Sequence, residues 1–139
     1  MGRVNYGRKL LDKKGIDGIR LDYQYHFGWD IYTLPMDNLN YLKFKTLNNE
    51  IASKQPVFLK GNLHIDKTPN DTFLRLDGFK KGFVVINWFN LGRYYEIAPQ
   101  KTLYVPAPVL KEGNNEIIVF DSHGLNSNII EFFDKPDLG

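Results

Sequence analysis

Between Asn87 and Tyr95 the chain reads NWFNLGRYY, the densest collection of ligand-competent side chains in the molecule. Trp88, Phe89, Tyr94 and Tyr95 offer flat apolar faces, and Asn90 and Arg93 set donors and an acceptor beside them. A pyranose sugar needs that combination, because its C–H face lies on an aromatic ring while its hydroxyls seek planar polar groups. A packing role accounts for the same residues without any ligand. Asn90 and Gly92 then shape a turn, Arg93 pairs or bonds carbonyls, and Tyr94 and Tyr95 fill the core.

Other chemistry has less to stand on. His26, His64 and His123 lie far apart on different expected elements. His64 and Asp66 share one strand face at i, i+2, but two ligands do not make a metal site, and surface polarity explains them more simply. With no cysteine, disulfides and thiolate sites are excluded. No Ser-His-Asp order or Gly-rich phosphate loop stands out, and GxxxxGK is absent. A net charge of +2, without a basic run interleaved with the aromatics, argues against nucleic acid. No stretch approaches the roughly 18 to 20 apolar residues of a membrane span, and MGRVNYGRKLLDKKG lacks an apolar leader core. The residues imply no cofactor and no metal.

The elements that would position the central stretch read as strands. Phe83–Ile86 is a continuous apolar run with β-branched residues, bounded by Gly82 and Asn87, as expected for a strand buried on both faces. A second strand turns back after Asn87. Thr72–Leu76, Lys101–Pro106 and Leu110–Phe120 each read as strands beside Gly, Pro or Asn. In Pro56–Ile65, Val57, Leu59, Leu63 and Ile65 face inward, with a bulge expected at Gly61. Ile19–Phe27 alternates strictly, which predicts one half-buried strand, followed after Gly28 by an extended piece from Trp29 to Pro35. Asp37–Lys54 reads as a short helix or an irregular cover. Ile129–Phe133 is an edge-strand candidate, and Lys135–Gly139 is expected to fray. Seven or eight short strands with hardly any helical period predict an all-β sandwich in one domain.

The run GFVVINWFNLGRYYEIAPQKTLYVPAPVLKEGNNEIIVFD resembles the C-terminal jelly-roll domain of family 35 glycoside hydrolases, the β-galactosidases. The family pattern runs through Val-Asn-Gly, Asn-Leu-Gly-Arg-Tyr-Trp, Gly-Pro-Gln-x-Thr-Leu-Tyr-Val-Pro and Leu-Lys-x-Gly-x-Asn-Glu. Asn87, Asn90 to Tyr94, Pro99, Gln100, Thr102 to Pro106, Leu110, Lys111, Gly113, Asn115 and Glu116 fit it in order. Residues 1–15 are similar to the family's Asn-Met-Gly-Arg-Val-Asn-Tyr-Gly segment, without the strand that precedes it there.

The resemblance implies a galactose-binding-domain-like jelly roll over residues 16–135, a remnant of a preceding β-domain at 1–15 and a tail at 136–139. In the family both catalytic glutamates belong to a (β/α)8 barrel. Neither Glu96 nor Glu116 matches those motifs, so the domain is implied to be non-catalytic and the isolated chain inactive. Its implied partners are that barrel and the preceding β-domain, with galactosides as candidate ligands of the 87–95 hairpin in the alternative reading as a carbohydrate-binding module. Tyr6, in the segment the family places toward the barrel, joins Trp88, Asn90, Arg93 and Tyr94 as a candidate sugar or interface contact. The family has Gly where this chain has Trp88, so Trp88 is expected either to alter the turn or to sit strained and exposed. The Asn- and Lys-rich composition suggests a low-GC bacterial parent, with the cytoplasm as the expected compartment.

Overall fold

The computed structural model describes residues 18–30, 32, 36, 38–46, 54–97 and 99–139. It divides into two compact units, Met1–Leu42 and Lys43–Gly139.

In the first unit, β1 (Ile19–Leu21) and β2 (Gln24–His26) pair antiparallel, with Ile19 opposite His26 and Leu21 opposite Gln24. The single half-buried strand expected over Ile19–Phe27 is therefore a hairpin. Asp22 enters the left-handed region at φ 53°, a conformation aspartate tolerates better than most residues, and this reversal overrides the alternation. Tyr23 and Phe27 are left almost wholly exposed. Gly28, at φ 76°, ends the segment as expected. Trp29 is not in a strand; its indole N–H donates to the His26 carbonyl at 2.9 Å. Residues 38–46 form no helix, and residues 37 and 47–53 of the segment expected as a helix or irregular cover lie outside the described residues.

The second unit holds β3 (Val57–Ile65), β4 (Thr72–Arg75), β5 (Lys81–Ile86), β6 (Phe89–Tyr95), β7 (Thr102–Val105), β8 (Gly113–Asp121) and β9 (Glu131–Phe133), with a short 3-10 turn at Ala107–Val109. They form two antiparallel sheets, ordered β3-β8-β5-β6 and β7-β4-β9. Val84 and Ile86 from β5 and Ile117 and Val119 from β8 share one core with Leu74 and Val105 of the other sheet. Phe79 and Leu125, joined by a β-bridge, belong to the same core. Sharing a core between two sheets is what makes a sandwich.

The continuous run in β5 has its predicted cause. Val84 and Ile86 face the core, while Val85 on the outer face is only 7% exposed and is flanked by Ile118 of β8. In the adjacent row, Phe58, Phe120 and Phe83 stand across three strands, with ring centroids 4.6 Å apart between Phe58 and Phe120 and 5.3 Å between Phe83 and Phe120.

Two expectations need correcting. Gly61 is no bulge, because β3 pairs with β8 in unbroken register from Val57 to Ile65. The irregularity lies between Val84 and Val85, opposite Asn90–Gly92. Nor does the C-terminal segment hang free. The Asp137 carbonyl accepts the Lys101 and Thr102 amides at 3.0 and 3.2 Å, and its N–H donates to Thr102 Oγ1 at 2.9 Å. The edge-strand reading of Ile129–Phe133 holds over β9, which borders the three-stranded sheet.

Candidate functional site

The hairpin closes through Asn87 and Trp88 alone, since Ile86 pairs with Phe89. Both turn residues have positive φ, 47° and 71°, the signature of a type I′ turn, whose twist matches the flanking strands. The turn is therefore the one an Asn-Gly pair would make, with Trp88 in the glycine position. Asn87 is fixed from several sides. Its Nδ2 donates to the Val109 carbonyl at 2.9 Å and to Asn115 Oδ1 at 2.7 Å. Its Oδ1 accepts the Glu116 N–H at 3.1 Å, and its own N–H donates to the Glu116 carbonyl. Asn115, wholly buried, also accepts the Lys111 N–H and donates to the Lys111 and Gly113 carbonyls. A rigid polar anchor thus holds Trp88 at the tip in a conformation that costs a bulky L-residue about 1–2 kcal/mol. Trp88 is 59% exposed and Phe89 51%.

Beyond the tip the candidates part company. Asn90 turns its Oδ1 onto the Gly92 N–H at 2.9 Å, which shapes the bulge. Arg93 stands opposite Phe83, on the outer face of the sheet. Tyr94 points inward, packed on the core, with its hydroxyl 2.9 Å from Asp121 Oδ2 and 3.0 Å from the Phe120 carbonyl. Tyr6 lies outside the described residues. The hairpin therefore sends Trp88, Arg93 and Tyr94 in three directions rather than into one pocket.

Asp121, 1% exposed, is a polar residue the sequence reading passed over. Its Oδ2 accepts the Lys80 N–H at 2.6 Å and the Tyr94 hydroxyl, and its Oδ1 accepts the His123 N–H at 2.9 Å. The signal was its phase: Asn115, Ile117, Val119 and Asp121 share one face of β8, so a polar residue at either end lands in the buried layer.

Burial, reinforced by the hydrogen bond to Asp121, pushes the Tyr94 phenol well above its usual range. A phenol harder to ionise when folded contributes stability that is intact below about pH 10 and is lost as pH rises above it. Alkaline unfolding followed by circular dichroism should therefore steepen above about pH 10 in the parent chain. Tyr94→Phe should flatten that limb while lowering neutral-pH stability by about 1.5–3 kcal/mol, the worth of a hydrogen bond to a charged group.

Neither acidic residue near the hairpin is placed for glycoside cleavage. Glu96 follows Tyr95 at the open end, and Glu116 lies beside Asn87 at the closed end, ion-paired with Lys60. The Glu96 N–H donates to the Lys80 carbonyl and the Asn87 N–H to the Glu116 carbonyl, and the seven-residue step from Lys80 to Asn87 puts the two acids about 23 Å apart along the strands. Retention requires about 5–5.5 Å between carboxyl groups and inversion about 6.5–9.5 Å. His64 places one ring nitrogen 2.8 Å from Asn114 Oδ1 and the other 3.2 Å from Asp66. Ser122 Oγ donates to the Lys81 carbonyl at 2.9 Å, so its contact with His123 Nδ1 does not free it as a nucleophile. Among the described residues no three His, Asp or Glu side chains cluster around a metal position.

The two antiparallel sheets sharing one core define an all-β sandwich domain. Residues 56–115 match the family described as Beta-galactosidase, galactose-binding domain. The chain is 41% identical over 143 residues to human Beta-galactosidase-1-like protein 2, covering 99% of this chain and 22% of that protein. Beta-galactosidase 17 of Arabidopsis thaliana is 39% identical, with 87% and 20% covered, and Beta-galactosidase 1 of Dictyostelium discoideum is 36% identical, with 87% and 19% covered. The chain thus spans about a fifth of the length of these curated relatives. The matched family and these relatives support a galactose-binding-like domain of a β-galactosidase.

Proposed function

We propose that this domain buttresses the catalytic barrel of a retaining β-galactosidase that removes terminal β-D-galactosyl residues, and that the tip of the Asn87–Tyr95 hairpin is its contact. The observation that carries this reading is Trp88. A left-handed tryptophan, 59% exposed, is held in place by a buried asparagine network. Such strain persists where something outside the turn makes use of it, and aromatic side chains anchor interfaces. The relatives' greater length supports a larger parent in which a partner surface is available. The Asn- and Lys-rich composition favours a bacterial one.

Trp88→Gly separates the local effect from the assembly effect. In the 139-residue chain it restores Asn-Gly turn chemistry and should raise stability by about 0.5–1 kcal/mol, the relieved strain less the entropy glycine loses on folding. In the full-length parent the same change should lower the thermal midpoint and the turnover of an aryl β-galactoside, because truncating a buried aromatic anchor costs about 2 kcal/mol or more. Calorimetry of both proteins checks the sign. A parent stabilised by the same increment as the isolated chain would show that the tip touches nothing.

A further inference from the structure

The outer face of the three-stranded sheet carries an aromatic row that neither the core nor the hairpin uses. Register sets Tyr104 of β7, Phe73 of β4 and Phe133 of β9 side by side, one ring from each strand. Tyr104 is 48% and Phe133 38% exposed, with Phe73 half-buried between them. The Phe73 and Tyr104 ring centroids are 5.6 Å apart and their planes tilt by 45°. Three strands at about 4.8 Å spacing make the row about 10 Å wide.

Polar groups frame it at both ends. Asp71 accepts the Tyr104 hydroxyl at 2.7 Å and the Ala107 N–H at 2.8 Å, one on each carboxylate oxygen. This fixes the tyrosine ring and leaves each oxygen able to accept a further donor. At the opposite end the Arg75 guanidinium carbon lies 5.9 Å from the Phe133 ring centroid. Its Nε is 2.8 Å from Asp77, an ion pair without the alignment of a directed hydrogen bond.

We propose that this row is a carbohydrate-stacking platform, separate from the hairpin, for a soluble oligosaccharide chain. Two consecutive pyranose rings lie over Phe73 and its flanking aromatics, and their hydroxyls reach Asp71 and Arg75. The occupant follows from the complementarity of the surface. Aromatic rings and arginine also serve protein contacts, but the centres of those contacts are depleted of carboxylates, whereas here the Asp71 carboxylate borders the rings on the same face as the guanidinium. A pyranoside is apolar on its flat side and donates and accepts around its rim, so it matches both parts. The 45° tilt between neighbouring rings, together with the twist of the sheet, suits a flexible single chain and not a flat crystalline surface. The choice of a galactoside as probe rests on the β-galactosidase assignment; the geometry of the platform does not.

The test is a two-dimensional NMR titration of the labelled chain with soluble β-1,4-galactotetraose. Saturable shifts confined to Phe73, Tyr104, Phe133 and Arg75 are expected. Tyr104→Ala should weaken binding by about tenfold or more, as for loss of an aromatic anchor. Tyr104→Phe keeps the ring and should stay within a few-fold of the parent chain, which separates stacking from a folding defect. Trp88→Gly should leave the affinity unchanged. Shifts confined to the hairpin, no shifts at tens of millimolar sugar, or a folded Tyr104→Ala with parental affinity would each overturn the platform. Because the titration uses the isolated chain, its outcome is independent of whether Trp88 meets a barrel in the full-length enzyme.

Discussion

Asp121→Ala should destabilise the chain by about 3–5 kcal/mol, because it leaves several buried donors unmet at about 1–3 kcal/mol each. The carboxylate is 1% exposed and accepts from the Lys80, Lys81 and His123 amides and from the Tyr94 hydroxyl. Alanine leaves these donors facing an apolar cavity into which water enters poorly, and the unmet donors account for most of the loss. Against a total stability of about 5–15 kcal/mol for a domain of this size, the variant will be marginal at 37 °C. Asp121→Asn keeps the shape but turns an NH2 toward at least one donor, so it should fall between the two. Urea unfolding with an unchanged m-value reads the difference directly. A loss below about 1 kcal/mol for the alanine variant would mean that the site is solvated.

The second large effect is expected beside it, at Gly82. This residue sits directly opposite both Asp121 on β8 and Tyr94 on β6. A Cβ built there would lie 1.6 Å from the Phe120 carbonyl oxygen and 2.9 Å from the Tyr94 hydroxyl. The nearer obstacle is backbone and cannot swing aside, so Gly82→Ala must spread β5 from β8 and loosen the Asp121 contacts as it does so. We expect a loss at or beyond the upper end of the usual overpacking range of about 1–3 kcal/mol, seen as insoluble expression or a collapsed thermal midpoint. Gly61→Ala supplies the control. Nothing lies within 4 Å of a Cβ at that position, and replacing glycine inside a strand should stabilise by about 0.5–1 kcal/mol. Equal responses at the two glycines would show that close strand approach is not what Gly82 provides.

How far the sequence could be read depended on whether a local pattern and the tertiary packing agreed. In β5 they did: four consecutive apolar residues between Gly82 and Asn87 read as a doubly covered strand, and Val84, Val85 and Ile86 are all buried. They disagreed at Ile19–Phe27, where an unbroken alternation runs through a two-residue reversal. Asp22 was the available cue, as a residue that tolerates the left-handed conformation. The hairpin was identifiable by residue type, but the bulge opposite Val84 and Val85 changes which side chains share a face. Period-two counting therefore could not tell that Arg93 looks outward and Tyr94 inward. Nor does any local pattern reveal the row formed by Phe73, Tyr104 and Phe133. These residues are distant along the chain and meet only through the order β7-β4-β9. Asn115 and Asp121 were legible as letters of a family motif or a strand end, while their burial came from parity alone.

The two polar knots of the four-stranded sheet have a joint effect that neither has singly. One, around Asp121, closes the pairing of β5 with β8 at Gly82; the other, around Asn87 and Asn115, closes it beyond Ile86 and Ile117. Sliding either strand by one residue would turn its inward side chains outward and strand both buried polar groups away from their partners. The pair works like a vernier: many alignments satisfy the apolar run FVVI against IIVF, and only one brings both scales into coincidence.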